Sequence, residues 1–189
     1  NLVVTDAPAG DFEVIVEVSG GLTQNFQSVG LVAYANDENL IAVERRHHSY
    51  FTGTNVFCIS TYTNTYVEKH TPESKANANA FLKLVKEGNK FTGYYSYDGE
   101  SWTKISEITS ESVAGAQDLK IGLIARSGSY GAEKLVTYKN FTLNGELIPF
   151  IPDEEACQLL APTVIEVKKG AENAGLPEKL PLYYNTGKT

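Results

Sequence analysis

An all-β fold, two antiparallel sheets packed face to face in a jelly-roll sandwich, is predicted by three features of the 189-residue chain. Short runs alternate apolar and polar residues with period 2, Gly, Asn and Asp turns recur between them, and helical periodicity is almost absent before residue 146. Eleven Tyr and eight Phe favour strands over helices.

The elements follow in order. From Phe12 to Val18, Phe12, Val14, Val16 and Val18 alternate with Glu13, Ile15 and Glu17, the pattern of a half-buried strand. After Gly20-Gly21, the run Val29 to Tyr34, the turn Asn36-Asp37-Glu38-Asn39 and the run Leu40 to Arg46 predict a hairpin. Strands are expected at Val56 to Tyr62 and Tyr66 to His70, and a loop from Thr71 to Asn79. Two β-rich runs, Phe81 to Val85 and Phe91 to Tyr95, are joined at Glu87-Gly88-Asn89-Lys90, and an Asp98-Gly99 turn leads into Ser101 to Ile105. Together they predict a three-stranded meander. Leu119 to Arg126, a Gly-rich loop and a last strand from Lys134 to Leu143 complete the sandwich, assigned to residues 1–145. Pro149, Pro152 and Pro162 mark 146–162 as a linker with a helical turn. Residues 163–189 offer two strand-like segments, too few to bury a core alone.

A net charge of −7 argues against nucleic acid and anionic membrane surfaces as partners, because no basic cluster is present to neutralise a run of phosphates. No apolar run is long enough to span a bilayer. The chain has no Met, even at position 1, so it is expected to be an excised or processed piece whose export signal lies upstream. Cys58 and Cys157 show no C-x-x-C spacing, and their pairing is left open.

Gly30-Leu31-Val32-Ala33-Tyr34, the hairpin from Phe81 through Tyr94-Tyr95-Ser96-Tyr97-Asp98-Gly99-Glu100-Ser101-Trp102, and Ile121-Gly122-Leu123-Ile124-Ala125 resemble the concanavalin A-like, laminin-G-like sandwich. That sandwich is the one appended to the C-terminus of family 43 glycoside hydrolases, a family of β-xylosidases and arabinofuranosidases. The resemblance covers roughly Asn1 to Asn144. It implies a non-catalytic accessory or carbohydrate-binding module of a secreted, multidomain bacterial glycoside hydrolase acting on plant-type polysaccharide. Its partners would be a polysaccharide or oligosaccharide and the neighbouring domains of its own chain. Because the family sandwich begins before its first block, this chain either lacks an N-terminal edge strand or holds it elsewhere. Residues 163–189, with Leu180 to Gly187, resemble the opening of a bacterial immunoglobulin-like module, which implies the rival role of an adhesion or scaffold module at a cell surface.

Three groups of residues carry candidate chemistry. Ser96 to Trp102 resembles an Asp-box turn, but it occurs once, so it is expected to shape the hairpin rather than a propeller. Glu44, Arg46, His48 and Tyr50 alternate onto one strand face, where carboxylate and guanidinium can bind sugar hydroxyls and a Tyr ring can stack on a sugar. Tyr34 and Tyr94 are expected on that same face, with Arg126 and Tyr130 at its edge, against the plainer reading of an ordinary polar sheet face. Adjacent His47 and His48 cannot both address one metal from a regular strand.

No catalytic residue is assigned. The Glu-x-Asp-x-x-Glu signature of sandwich-fold β-glucanases and the common hydrolase motifs are absent, although a stand-alone glycosidase with an unrecognised acidic pair stays among the alternatives. No cofactor is expected beyond a structural calcium ion to which Asp6, Asp37 or Asp118 could contribute.

Overall fold

A computed structural model describes residues 1–148 apart from 20, 49–54, 64, 76–77 and 129–134. The elements are β1 (Leu2–Asp6), β2 (Phe12–Ser19), β3 (Gln27–Asn36), β4 (Asn39–His47), β5 (Asn55–Thr63), β6 (Thr65–Pro72), β7 (Ala80–Glu87), β8 (Lys90–Ser96), β9 (Thr103–Thr109), α1 (Glu111–Ala114), β10 (Lys120–Ser127), β11 (Thr137–Leu143) and β12 (Glu146–Leu147). The strands form two six-stranded antiparallel sheets, ordered β1-β10-β3-β4-β5-β6 and β12-β11-β2-β7-β8-β9. The predicted sandwich is thus the observed fold.

The alternation read in the sequence has a direct structural cause. In β2, Phe12, Val14, Val16 and Val18 point into the core while Glu13 and Glu17 point out. They meet Leu31, Ile41, Val43, Phe57, Ile59 and Ile121 from the facing sheet. Between the sheets Phe57 stacks on Tyr95 at 4.2 Å, and Gly93 lies so close to the facing sheet that a Cβ there would sit 3.0 Å from Val43 Cγ2. Transfer of this apolar surface from water is the main stabilising contribution.

The structure also departs from expectation. The N-terminal edge strand is present: β1 pairs with β10, Leu2 opposite Ile124 and Asp6 opposite Lys120. Its five residues show too little alternation to be recognised alone. The helix α1 is one turn long, capped by Ser110 Oγ, which accepts from Val113 N–H at 3.3 Å. Strand β12 hairpins onto β11 inside the span read as linker. The helical turn, the tail from 163 and Cys157 lie outside the described residues, whereas Cys58 is buried with its thiol pushed well above its ordinary value by that burial.

The turn after β8 behaves as its residues dictate. Asp98 Oδ1 accepts from Ser96 Oγ (2.8 Å), Glu100 N–H (2.8 Å) and Ser101 N–H (2.7 Å). Gly99 supplies the left-handed φ of 77°. Those donors, the Ser101 N–H first, hold the Asp98 carboxyl well below its ordinary range.

Candidate functional site

The outer face of the first sheet carries an array of charged groups. Alternation along β4 sends Ile41, Val43 and Arg45 inward and Leu40, Ala42, Glu44 and Arg46 outward, and the register places Gly30 and Cys58 on either side of Glu44. Ser28 and Arg126 fall in the same transverse row as Arg46. Most of these groups are buried, so each charge needs a partner.

Glu44 has three. Its Oε1 accepts from Ser28 Oγ at 2.5 Å and lies 3.1 Å from Arg126 Nε, while Oε2 accepts from Arg46 Nη2 at 2.5 Å. Arg126 Nε is close to Glu44 but not aligned for a hydrogen bond, so that contact is an ion pair alone. Burial would raise the Glu44 pKa; Arg46, Arg126 and Ser28 outweigh it and hold the group as a carboxylate, below its ordinary value.

Arg46 Nη1 reaches Glu68 and the Tyr66 hydroxyl, which itself donates to Glu68. Arg126 Nη1, on β10, donates to the Tyr62 hydroxyl of β5 at 2.6 Å, and its guanidinium lies 4.9 Å from the centre of that ring. With β3 and β4 between them in the sheet, these two side chains meet above Glu44. The rings of Tyr62 and Tyr66 stand 5.0 Å apart. Like Arg126 Nε, Arg46 Nε and Ser60 Oγ are buried without a hydrogen-bond partner among the described residues. Beside Arg126 opens a pocket of about 450 Å³ lined by Asn1, Phe26, Ala125, Arg126, Ser127 and Gly128.

Of the residues singled out in the sequence, Glu44, Arg46 and Arg126 are brought together. Tyr34 shares their face but packs on a small apolar cluster of Val32, Leu40, Ala42 and Ile124, and its hydroxyl donates to Asp37 at 2.8 Å. His48 follows β4 and meets the Phe26 ring edge-on at 5.0 Å; burial lowers its pKa. Tyr50 and Tyr130 lie outside the described residues.

Tyr94 corrects the expectation of one shared face. It belongs to β8 in the second sheet, beside Lys83, whose Nζ lies 5.3 Å from the Tyr94 ring centre and 4.2 Å from that of Trp102. Pointing away from the core is common to both sheets of a sandwich, and their outer faces look in opposite directions.

Ser28, Tyr62, Tyr66, Glu68 and Phe26 were missed. Period 2 along β5 does put Cys58, Ser60 and Tyr62 on one face, but the pairing of β5 between β4 and β6 was needed to place them beside Arg46. Among the described residues no three His, Cys, Asp or Glu side chains are grouped to hold a metal ion. Asp6 pairs with Lys120 Nζ at 2.6 Å.

A family model described as a protein of unknown function (DUF1349) matches residues 2–145. No curated protein matches the chain. Among solved structures it is similar to the GH43 protein BlXynB from Bacillus licheniformis, with 17% identity and a TM-score of 0.68 over 77% of this chain and 30% of that one. It is similar to a xylan β-1,4-xylosidase from Bacillus halodurans C-125, with 16% identity and a TM-score of 0.65 over 76% of this chain and 29% of that one. A functionally unknown protein from Saccharomyces cerevisiae gives 15% identity and a TM-score of 0.62 over 77% and 74% of the respective chains. The chain therefore spans about three tenths of the length of the two Bacillus proteins. At these identities the likeness establishes the sandwich fold.

Proposed function

We propose that this chain, which belongs to the protein family of unknown function DUF1349, is a non-catalytic carbohydrate-binding or accessory module of a secreted multidomain glycoside hydrolase acting on plant-type polysaccharide. The observation that carries this reading is Arg126, ion-paired to Glu44 and hydrogen-bonded to Tyr62, which together with Phe26 is among the residues lining an open pocket. A fixed, planar, multi-donor group at a pocket wall suits the hydroxyl edge of a sugar. Glu44, Ser28 and Arg46 act as positioning residues behind it.

The chemistry of Glu44 supports binding over hydrolysis. Glycoside hydrolysis needs one carboxyl protonated at working pH to act as acid, usually by burial without compensating cations. Glu44 is instead surrounded by two guanidinium groups and kept ionised, ready to accept hydrogen bonds rather than donate a proton. The solved structures with this fold include GH43 proteins much longer than this chain, which fits a module that works beside other domains.

Affinity electrophoresis in gels containing xylan, arabinan or β-glucan tests the reading. The wild-type module should be retarded on at least one of them, and Arg126→Ala should lose the retardation while still unfolding in one cooperative transition, at a lower temperature because buried Glu44 loses one of its two guanidinium partners. Free migration of the wild-type module on every gel would remove the carbohydrate reading.

A further inference from the structure

Phe26 is held in a conformation that bulky L-residues avoid. Its φ is 66°, and the residue is 41% exposed where it lines the pocket beside Arg126. A left-handed, non-glycine aromatic carries a conformational cost, and an exposed ring recovers little of it by burial. Such strain persists only where the surroundings over-determine it.

Five features do so here. The Phe26 N–H donates to His47 O at 2.8 Å, and the Gln27 N–H to Gln24 O at 3.0 Å. The buried Gln27 carboxamide oxygen accepts from the Thr23 and Gln24 N–H groups at 2.9 and 3.0 Å. Gly128 lies so close to this turn that a Cβ on it would be 2.6 Å from Asn25 O. His48 then meets the Phe26 ring edge-on. The turn fixes the Phe26 backbone and leaves the residue part-exposed in a pocket that Arg126 also lines.

We propose that Phe26 is the stacking platform of a neutral-sugar subsite whose polar wall is Arg126. This rests on the carbohydrate reading and names the missing half of its site. An aromatic face takes the C–H face of a sugar ring while a fixed guanidinium binds the hydroxyls along its edge. Arg126 and Arg46 share Glu44, and Arg46 also pairs with Glu68, so the two guanidinium groups face two carboxylates and Arg126 has little charge left to draw in a uronate carboxylate. The occupant is therefore an uncharged pentose or hexose unit of a polysaccharide.

The test compares wild type, Phe26→Asn and Phe26→Tyr by affinity electrophoresis on xylan, arabinan, β-glucan and polygalacturonate, with thermal unfolding alongside. Asn tolerates the left-handed region, so Phe26→Asn should unfold at the same temperature or up to about 2–4 °C higher. It should bind the neutral glycan about tenfold more weakly, and Phe26→Tyr should stay within about twofold of wild type. Wild-type affinity in Phe26→Asn would overturn the platform, and tighter binding of polygalacturonate than of every neutral glycan would overturn the neutral assignment. Those results leave the binding function standing. Absence of wild-type binding on all four gels overturns the function and the subsite together.

Discussion

Arg45 and Glu73 form a two-pronged ion pair on the inner side of the first sheet: Nε lies 3.1 Å from Oε2 and Nη2 2.6 Å from Oε1, with side chains 1% and 0% exposed. Arg45 alternates inward with Ile41 and Val43, a place where an apolar residue would be expected. Its Nη1 also donates to Ala78 O at 3.0 Å, so one guanidinium ties the segment after β6 to the core.

Breaking this pair from one side strands a buried charge. Glu73→Gln and Arg45→Ala should each lower the unfolding free energy by about 3–5 kcal/mol in urea titration, and Arg45→Met should cost less than either because it removes the charge and refills the space. A cost of Arg45→Ala below about 1 kcal/mol would mean that the pair is solvated.

Glu44 couples the site to acid stability. Its pKa is lowered in the folded protein, so its contribution is present above the ordinary glutamate value of 4.5 and lost as pH falls through the folded value. The stability difference between wild type and Glu44→Gln should therefore be largest near neutral pH and shrink on acidification below 4.5. Urea titrations from pH 7 to 3 measure this, and a constant difference would contradict it.

Gly30 pairs with Glu44 across β3 and β4, and a Cβ on it would lie 2.0 Å from Val43 O and 2.7 Å from Glu44 Cα. Gly30→Ala must push the strands apart beneath the carboxylate. A loss of about 1–3 kcal/mol is expected, together with weakened glycan retardation, since Arg126 takes its position from Glu44.

Asp98 accepts from two backbone N–H groups and one hydroxyl, all of which favour its ionised form. Carbonyl-detected NMR titration should find it still ionised at about pH 3, below the ordinary aspartate range. Asp98→Asn should lower the melting temperature, most clearly where wild-type Asp98 is charged.

Strand identity and the sense of each face were largely legible in the residues. β2, the β3–β4 hairpin and the β7–β8–β9 meander follow from period-2 alternation and from turns such as Asp98-Gly99, because both are properties of a few consecutive residues. So was the grouping of Glu44 with Arg46, two positions apart on one strand. Arg126, 80 residues further along the sequence, joined them through the pairing of β10 with β3, which only the fold creates.

Long-range pairing decided the rest. It set β1 at the sheet edge, put Tyr94 on the opposite side of the sandwich from Arg46, and drew Tyr62 across two strands to Arg126. It also turned Phe26 outward in a conformation its own residue type disfavours. Alternation tells a side chain which way to point from its own strand. Which strands lie beside it, and so which charges must be satisfied together in a buried space, is a property of the packed sheets.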